Sequence, residues 1–309
     1  MTQARGNNVA FGMALMVGFA FIAPGIDVFA KLVPHDIPVA QVSGARFALQ
    51  SLFLVPLALV IGVLHRPHLR EIGLHFLRAA LVIAATTLFF SALRHMPIAD
   101  AISIFFVEPL IVTLLGFALL GEPAGLRRII GCLVGFGGAL LVIQPSFQEL
   151  GAPALYPLGT AFLFGLYLIL TRKMAQTMHP VALQGYTALA ASALILPVLS
   201  LMNEGPVPLL DPVWPSAFGW WMLLGVGVMA TLSHILLAYA LANAPAAVVA
   251  PLQYLEIVAA VIFGFIIFGD LPDPLMVLGV AIIIGSGLYV FHREQVVAKE
   301  ALTSGPRPV

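Results

Sequence analysis

The chain has 309 residues, 61% of them hydrophobic and only 9% charged, with a mean hydropathy of +1.05. Soluble globular proteins carry about 25% charged residues, so a soluble enzyme or binding module is excluded and an integral membrane protein is indicated. Lys plus Arg equals Asp plus Glu, so no excess of positive charge calls for a nucleic-acid partner, and the single cysteine, Cys132, leaves no intrachain disulfide or cysteine metal cluster.

The apolar runs are continuous rather than alternating, which predicts helices and not a barrel. Ten spans follow in order. The first, near 9–30, is long enough to cross and lacks a small-residue cleavage pattern, so it reads as a transmembrane helix and not a signal peptide; it carries Asp27. The second, near 39–62, carries Arg46 in "RFAL", and the third, near 73–93, runs into "ALRHMP". The fourth, near 98–120, contains "SIFFVEPLIV", with Glu108 inside an otherwise apolar run. The fifth, near 128–145, is the glycine-rich "IIGCLVGFGGALLV". The sixth and seventh lie near 154–172 and 181–201, followed by the longest connection, "NEGPVPLLDPVWPS". The eighth, near 217–240, carries His234 close to Thr231, Ser233 and Tyr239; the ninth, near 246–268, contains "PLQYLE" with Gln253 and Glu256; the tenth spans about 275–291. No loop is long enough for a soluble domain.

Lys and Arg set the orientation. With the N-terminus inside, Arg5, Arg66, Arg70, Arg127, Arg128, Arg172, Lys173, Arg293, Lys299 and Arg307 fall inside, joined by Arg78 near the inner start of span three. Only Lys31 and Arg94 fall outside, together with Glu149, Glu204, Asp211, Asp270 and Asp273. Both termini are therefore expected in the cytoplasm, the chain lying in the cytoplasmic (inner) membrane.

The chain repeats itself. A shift of 148 carries "ALRHMPIA" onto "ALANAPAA", "LLGE" onto "IFGD", Gly131 onto Gly279, Gly137 onto Gly285, and Glu108 onto Glu256. Earlier in each half a shift of 142 aligns the two "PVA" tripeptides and brings Lys31 onto Lys173. Five spans per half is an odd number, so the second half enters the bilayer from the opposite side. The expected fold is an all-α integral membrane protein of ten transmembrane helices in two inverted five-helix repeats, 1–147 and 148–292, with a cytoplasmic tail at 293–309.

Two five-span halves, "RFAL", "ALRHMP", Pro109 in span four, "LLGE" and the glycine-rich span five together resemble the EamA type of the drug/metabolite transporter superfamily. The resemblance covers nearly the whole chain and implies a ten-helix transporter with a central cavity, without implying a substrate. The second half departs from it: Ala188 stands where Arg46 stands in the first half, and Ile257 where Pro109 stands.

A charge at the bilayer centre costs about 2.5–3.5 kcal/mol on insertion scales, so intramembrane charges face a cavity or a partner. Glu108 lies roughly 15 Å into its span at 1.5 Å per residue, and Glu256 is equally deep in span nine. Carboxyl groups so placed can exchange protons with alternating sides or pair with a cationic substrate; the plainer reading is two hydrogen-bonded acids tying helices together. Asp27 and Arg46 lie on the outer side of the midplane and are expected to form an ion pair; the alternative is an outer gate or an anchor for a substrate carboxylate. Asp100 and Arg94, at the outer turn between spans three and four, read as solvated surface groups. His234 either handles protons or is a neutral packing residue. Phe105, Gln253 and Tyr239 are candidates to line the cavity. Glu122 and Asp270 read as surface or cap residues at opposite faces. The glycines of spans five and ten suit a scaffold or the surface of a homodimer.

The expected function is secondary active transport of a small organic metabolite by alternating access, coupled to protons or to exchange. The substrate class that suits these groups is amphipathic or zwitterionic, and the other partners expected are the lipid bilayer and, in a homodimer, a second copy of the chain. Alternatives are an intramembrane enzyme, a channel or a non-transporting scaffold. Against an enzyme, "HExxH" is absent, "HRPH" sits in a cytoplasmic loop, and no phosphate-binding "GxxxxGK[ST]" occurs, so neither metal nor other cofactor is expected.

Overall fold

The computed structural model describes residues 9–120, 126–175, 177–203, 205, 207, 210–243 and 250–303, and every regular element among them is helical. These are α1 (Val9–Leu32), α2 (Val39–Val60), α3 (Leu69–Leu93), α4 (Ile98–Phe105), α5 (Glu108–Leu120), α6 (Leu126–Leu150), α7 (Tyr156–Ala175), α8 (Pro180–Leu201), α9 (Ala217–Asn243), α10 (Leu255–Phe263) and α11 (Pro274–Thr303). Among the described residues six helical stretches are long and apolar enough to cross a membrane, and shorter apolar stretches occupy Ile129–Gln144, Leu252–Phe268 and Pro274–Val290.

The span expected at 98–120 is divided. α4 ends at Phe105 and α5 starts at Glu108. Pro109 accounts for the break, because it has no N–H to give the Phe105 carbonyl and its ring clashes with that carbonyl. The chain turns through Phe106 and Val107, whose carbonyl then accepts from Leu110 and Ile111 at 3.0 and 3.1 Å. The ninth span is irregular as well: a 3₁₀ turn (Ala250–Tyr254) precedes α10 and a π-helical turn (Gly264–Phe268) follows it. Glu108 and Glu256 thus both lie in the first turn of a helical segment. Residues 244–249, the expected start of span nine, and Glu122 lie outside the described residues.

α1 packs on α9 and α10, α2 on α8 and α9, α3 on α7 and α8, α4 and α5 on α7, α4 on α10, and α6 on α11. Lipid is as apolar as leucine, so such helices are held by close approach and hydrogen bonds rather than by burial alone. Glycine supplies the approach between α6 and α11: a Cβ on Gly138 would lie 2.9 Å from the Gly279 carbonyl oxygen, and one on Gly279 2.6 Å from that of Gly138. Gly131, against Val290 and Tyr289, also faces α11, so this glycine face is used within the chain.

Arg78, counted with the inner charges near the start of the third span, is fully buried. Its Nε donates to Thr171 Oγ1 at 3.2 Å, Nη1 to the Leu183 carbonyl and Thr187 Oγ1 at 3.3 and 2.5 Å, and Nη2 to Tyr167 Oη at 3.1 Å. One guanidinium therefore joins α3 to α7 and α8, and its charge also rests 4.9 Å from the Tyr167 ring centroid. Arg94 likewise is not merely solvated, since it donates to the carbonyls of His35 and Ile37 and so holds the α1–α2 loop. Partial burial draws the Arg94 pKa below the usual guanidinium value, with the Asp36 carboxylate acting in the opposite direction. Its turn partner Asp100 is half-buried.

Candidate functional site

Where α1, α2, α3, α4, α5, α7, α9 and α10 converge they leave a cavity of about 210 Å³. Asp27, Arg46, Phe105, Glu108, His234, Gln253 and Glu256 all line it. Tyr239 does not; it lies on the exposed side of α9, five residues beyond His234 and so on a different face.

One wall is aromatic. Phe89 and Phe90 of α3, Phe105 of α4, the following Phe106 and Phe164 of α7 all reach it. Phe105 is the hub, with ring centroids 5.8 Å from Phe89, 5.9 Å from Phe106 and 5.6 Å from Phe164, each edge to face. Phe106 continues the wall to Tyr254 at 5.4 Å, and Gly287 of α11 leaves the space that the Tyr254 hydroxyl fills. Another part of the lining is polar and comes from Asp27, Arg46, Ser233, His234, Gln253 and Glu256. Gln253 stands three residues before Glu256, one turn of the 3₁₀ segment, so the two share a face.

Arg46 and Asp27 do not form the expected ion pair. Among the described residues only Lys31–Asp270 and His65–Glu71 approach within 4.0 Å. Arg46 is drawn instead to α3, where Nη1 donates to Thr86 Oγ1 at 2.9 Å and the guanidinium lies 5.9 Å from the Phe90 ring; Phe47, next to it on α2, lies 5.4 Å away. Its Nε is buried without a hydrogen-bond partner, and so is Glu108 Oε1. Buried polar atoms are ordinarily satisfied, so an orphan donor and an orphan acceptor mark this site. His234 Nδ1 lies 2.7 Å from the Ala230 carbonyl oxygen, which only an N–H explains; neutral His234 therefore keeps Nε2 as an acceptor. Gln50 Nε2 reaches the same carbonyl at 3.3 Å.

Arg46 and His234 also border a smaller polar recess with Gln50, Tyr167, Gln184 and Thr187. There Tyr167 Oη donates to Gln184 Oε1 at 3.1 Å while accepting from Arg78. Sequence reading missed this group, although the signal was present: Tyr167 and Thr171, and Leu183 and Thr187, are spaced i, i+4 on their helices and face the same arginine.

Asp270 is more than a surface cap. Its carboxylate accepts from Lys31 Nζ at 3.2 Å; the same ammonium donates to the Met96 carbonyl at 3.1 Å and lies 4.7 Å from the Phe268 centroid. This contact ties the end of α1 to the α3–α4 turn and to the π-helical turn after α10.

The EamA-like transporter family model matches the chain twice, over residues 10–144 and 152–291. The chain belongs to the EamA-like transporter family. This EamA-like chain is 27% identical over 285 residues to a riboflavin transporter of Vibrio cholerae, covering 91% of this chain and 92% of that one. It is 26% identical to an S-adenosylmethionine uptake transporter of Rickettsia conorii (87% and 88% covered) and 26% identical to a pseudopaline exporter of Pseudomonas aeruginosa (88% and 93% covered). A solved crystal structure 18% identical in sequence superposes with a TM-score of 0.60 over 93% of this chain and 99% of the other; that likeness concerns the fold. The EamA-like chain is an integral membrane protein of a drug/metabolite transporter type, a transporter of small metabolites and not an enzyme.

Proposed function

We propose that the chain is a secondary active transporter that moves a small amphipathic or zwitterionic metabolite across the cytoplasmic membrane, both termini cytoplasmic, by alternating access. The observation that carries this reading is the cavity itself, where Glu108 and Glu256, each opening a helical segment at matched positions of the two halves, line one space. Interrupted helices with segment ends at a central site are the recurrent construction of such transporters.

The helix pairings support ten spans in two inverted five-helix repeats, 1–147 and 148–292, followed by the tail at 293–309. Exchanging the repeats turns the α1–α9 contact into α7–α3, α2–α9 into α8–α3, and α1–α10 into α7–α5, and all of these pairs occur. The pairs α2–α8 and α6–α11 map onto themselves, as an axis between the repeats requires, and α4–α10 joins the two broken spans that correspond, the fourth and the ninth. One chain lines the whole cavity, so a homodimer is not needed to complete it. The Lys31–Asp270 contact acts as a latch on the face where α1 ends, and Glu108 and Glu256 carry protons or answer a cationic group as the halves rock. The names of relatives at 26–27% identity include both uptake and export, so direction is read from assay rather than resemblance.

The test is transport by proteoliposomes of a panel of amino acids, nucleoside-type metabolites and vitamins under an imposed pH gradient, for wild type, Glu108→Gln and Glu256→Gln. The expected result is a transported compound whose movement, or its response to pH, is lost in both variants while folding is retained. Wild-type transport and pH response in both variants would show that the acids are structural.

A further inference from the structure

The aromatic and polar parts of the cavity lining differ in a way that selects a ligand shape, and this inference rests on the transporter reading above. Of the five rings that line the cavity, Phe105 and Phe164 are half-buried, whereas Phe89, Phe90 and Phe106 are buried. The lining of the cavity is mostly apolar, and these two half-buried rings leave accessible surface within it. In the same lining Arg46 is fixed by Thr86, with its guanidinium near the Phe90 ring of the aromatic wall.

We infer that the cavity takes a planar aromatic or heteroaromatic ring bearing an anionic group, the ring lying against Phe105 and Phe164 and the anion on Arg46. The ring quadrupoles favour an aromatic partner, stacked with an offset or edge to face, over a saturated one of equal area. A guanidinium presents donors in a rigid planar fork that suits a carboxylate or phosphate. A linear aliphatic zwitterion would satisfy Arg46 and leave the aromatic wall facing a chain that fits it poorly.

The test is calorimetric binding of 2-naphthoate and of decahydro-2-naphthoate, which share skeleton and charge but differ in planarity and aromaticity, to the purified full chain. Wild type is compared with Phe105→Leu, Phe164→Leu and Arg46→Gln, each checked for folding by thermal unfolding. Wild type is expected to bind the aromatic acid about tenfold tighter, the order that ring–ring contacts contribute beyond area. Either leucine variant is expected to lower that ratio several-fold, and Arg46→Gln to weaken both acids with the ratio unchanged. A ratio near one in wild type, a ratio that survives in both leucine variants, or no binding of either acid at millimolar concentration overturns the inference. Proteoliposomes separate the two proposals: Glu108-dependent transport confined to aliphatic metabolites overturns this inference and leaves the transporter reading standing. A chain that binds the aromatic acid selectively but transports no compound does the reverse.

Discussion

Lys31→Met and Asp270→Asn each remove one side of the contact that joins α1 to the segment after α10. At 3.2 Å and an effective dielectric of 20 the direct attraction is about 5 kcal/mol. The two side chains are 19% and 27% exposed, so screening, desolvation and side-chain ordering reduce the net worth to about 1 kcal/mol. The Lys31 bond to the Met96 carbonyl adds about 1 kcal/mol for Lys31→Met. A total near 2 kcal/mol shifts the ratio of closed to open by about thirtyfold at 1.4 kcal/mol per factor of ten; Asp270→Asn alone gives about fivefold. The assay is the labelling rate of Ala23→Cys, a position on the cavity wall, in a Cys132→Ala background, with an impermeant maleimide added on the side where α1 ends. Both changes should speed labelling, and the double variant should fall short of the sum of the singles by about 1 kcal/mol, the coupling expected for residues in direct contact. Unchanged rates, or effects that simply add, would refute the latch.

Two further outcomes follow from the packing. Arg78→Met should destabilise the folded chain by about 3 kcal/mol, since it removes the donor from hydroxyls on α7 and α8; Arg78→Lys should recover little, because an ammonium lacks the planar fork that meets Thr171, Thr187 and Tyr167 at once. Thermal unfolding in detergent reads both. Gly138→Val should abolish the α6–α11 contact and with it the monodisperse peak in size-exclusion chromatography, whereas Gly137→Ala, with open space around its would-be Cβ, should be neutral or slightly stabilising.

Hydropathy is a local property, so the succession of apolar segments was legible from the chain alone, as was the oddity of Glu108 and Glu256 inside them. The Glu108–Glu256 match and the two "PVA" tripeptides were likewise visible as a repeat, because they depend only on register. Pro109 marked the place where α4 stops, although not that Glu108 would thereby open a new helix. What the sequence could not supply is which polar groups meet. Lys31 and Asp270 are 239 residues apart, and Arg78 finds its partners 89 to 109 residues further on. Asp27 and Arg46 looked like a natural pair, yet Thr86 and Phe90 on α3 and Phe47 on its own helix hold the arginine, leaving its Nε buried without a partner. Composition determines that a chain enters the membrane; only the packing of helices decides which of its few polar side chains are spent on one another and which are left for a ligand.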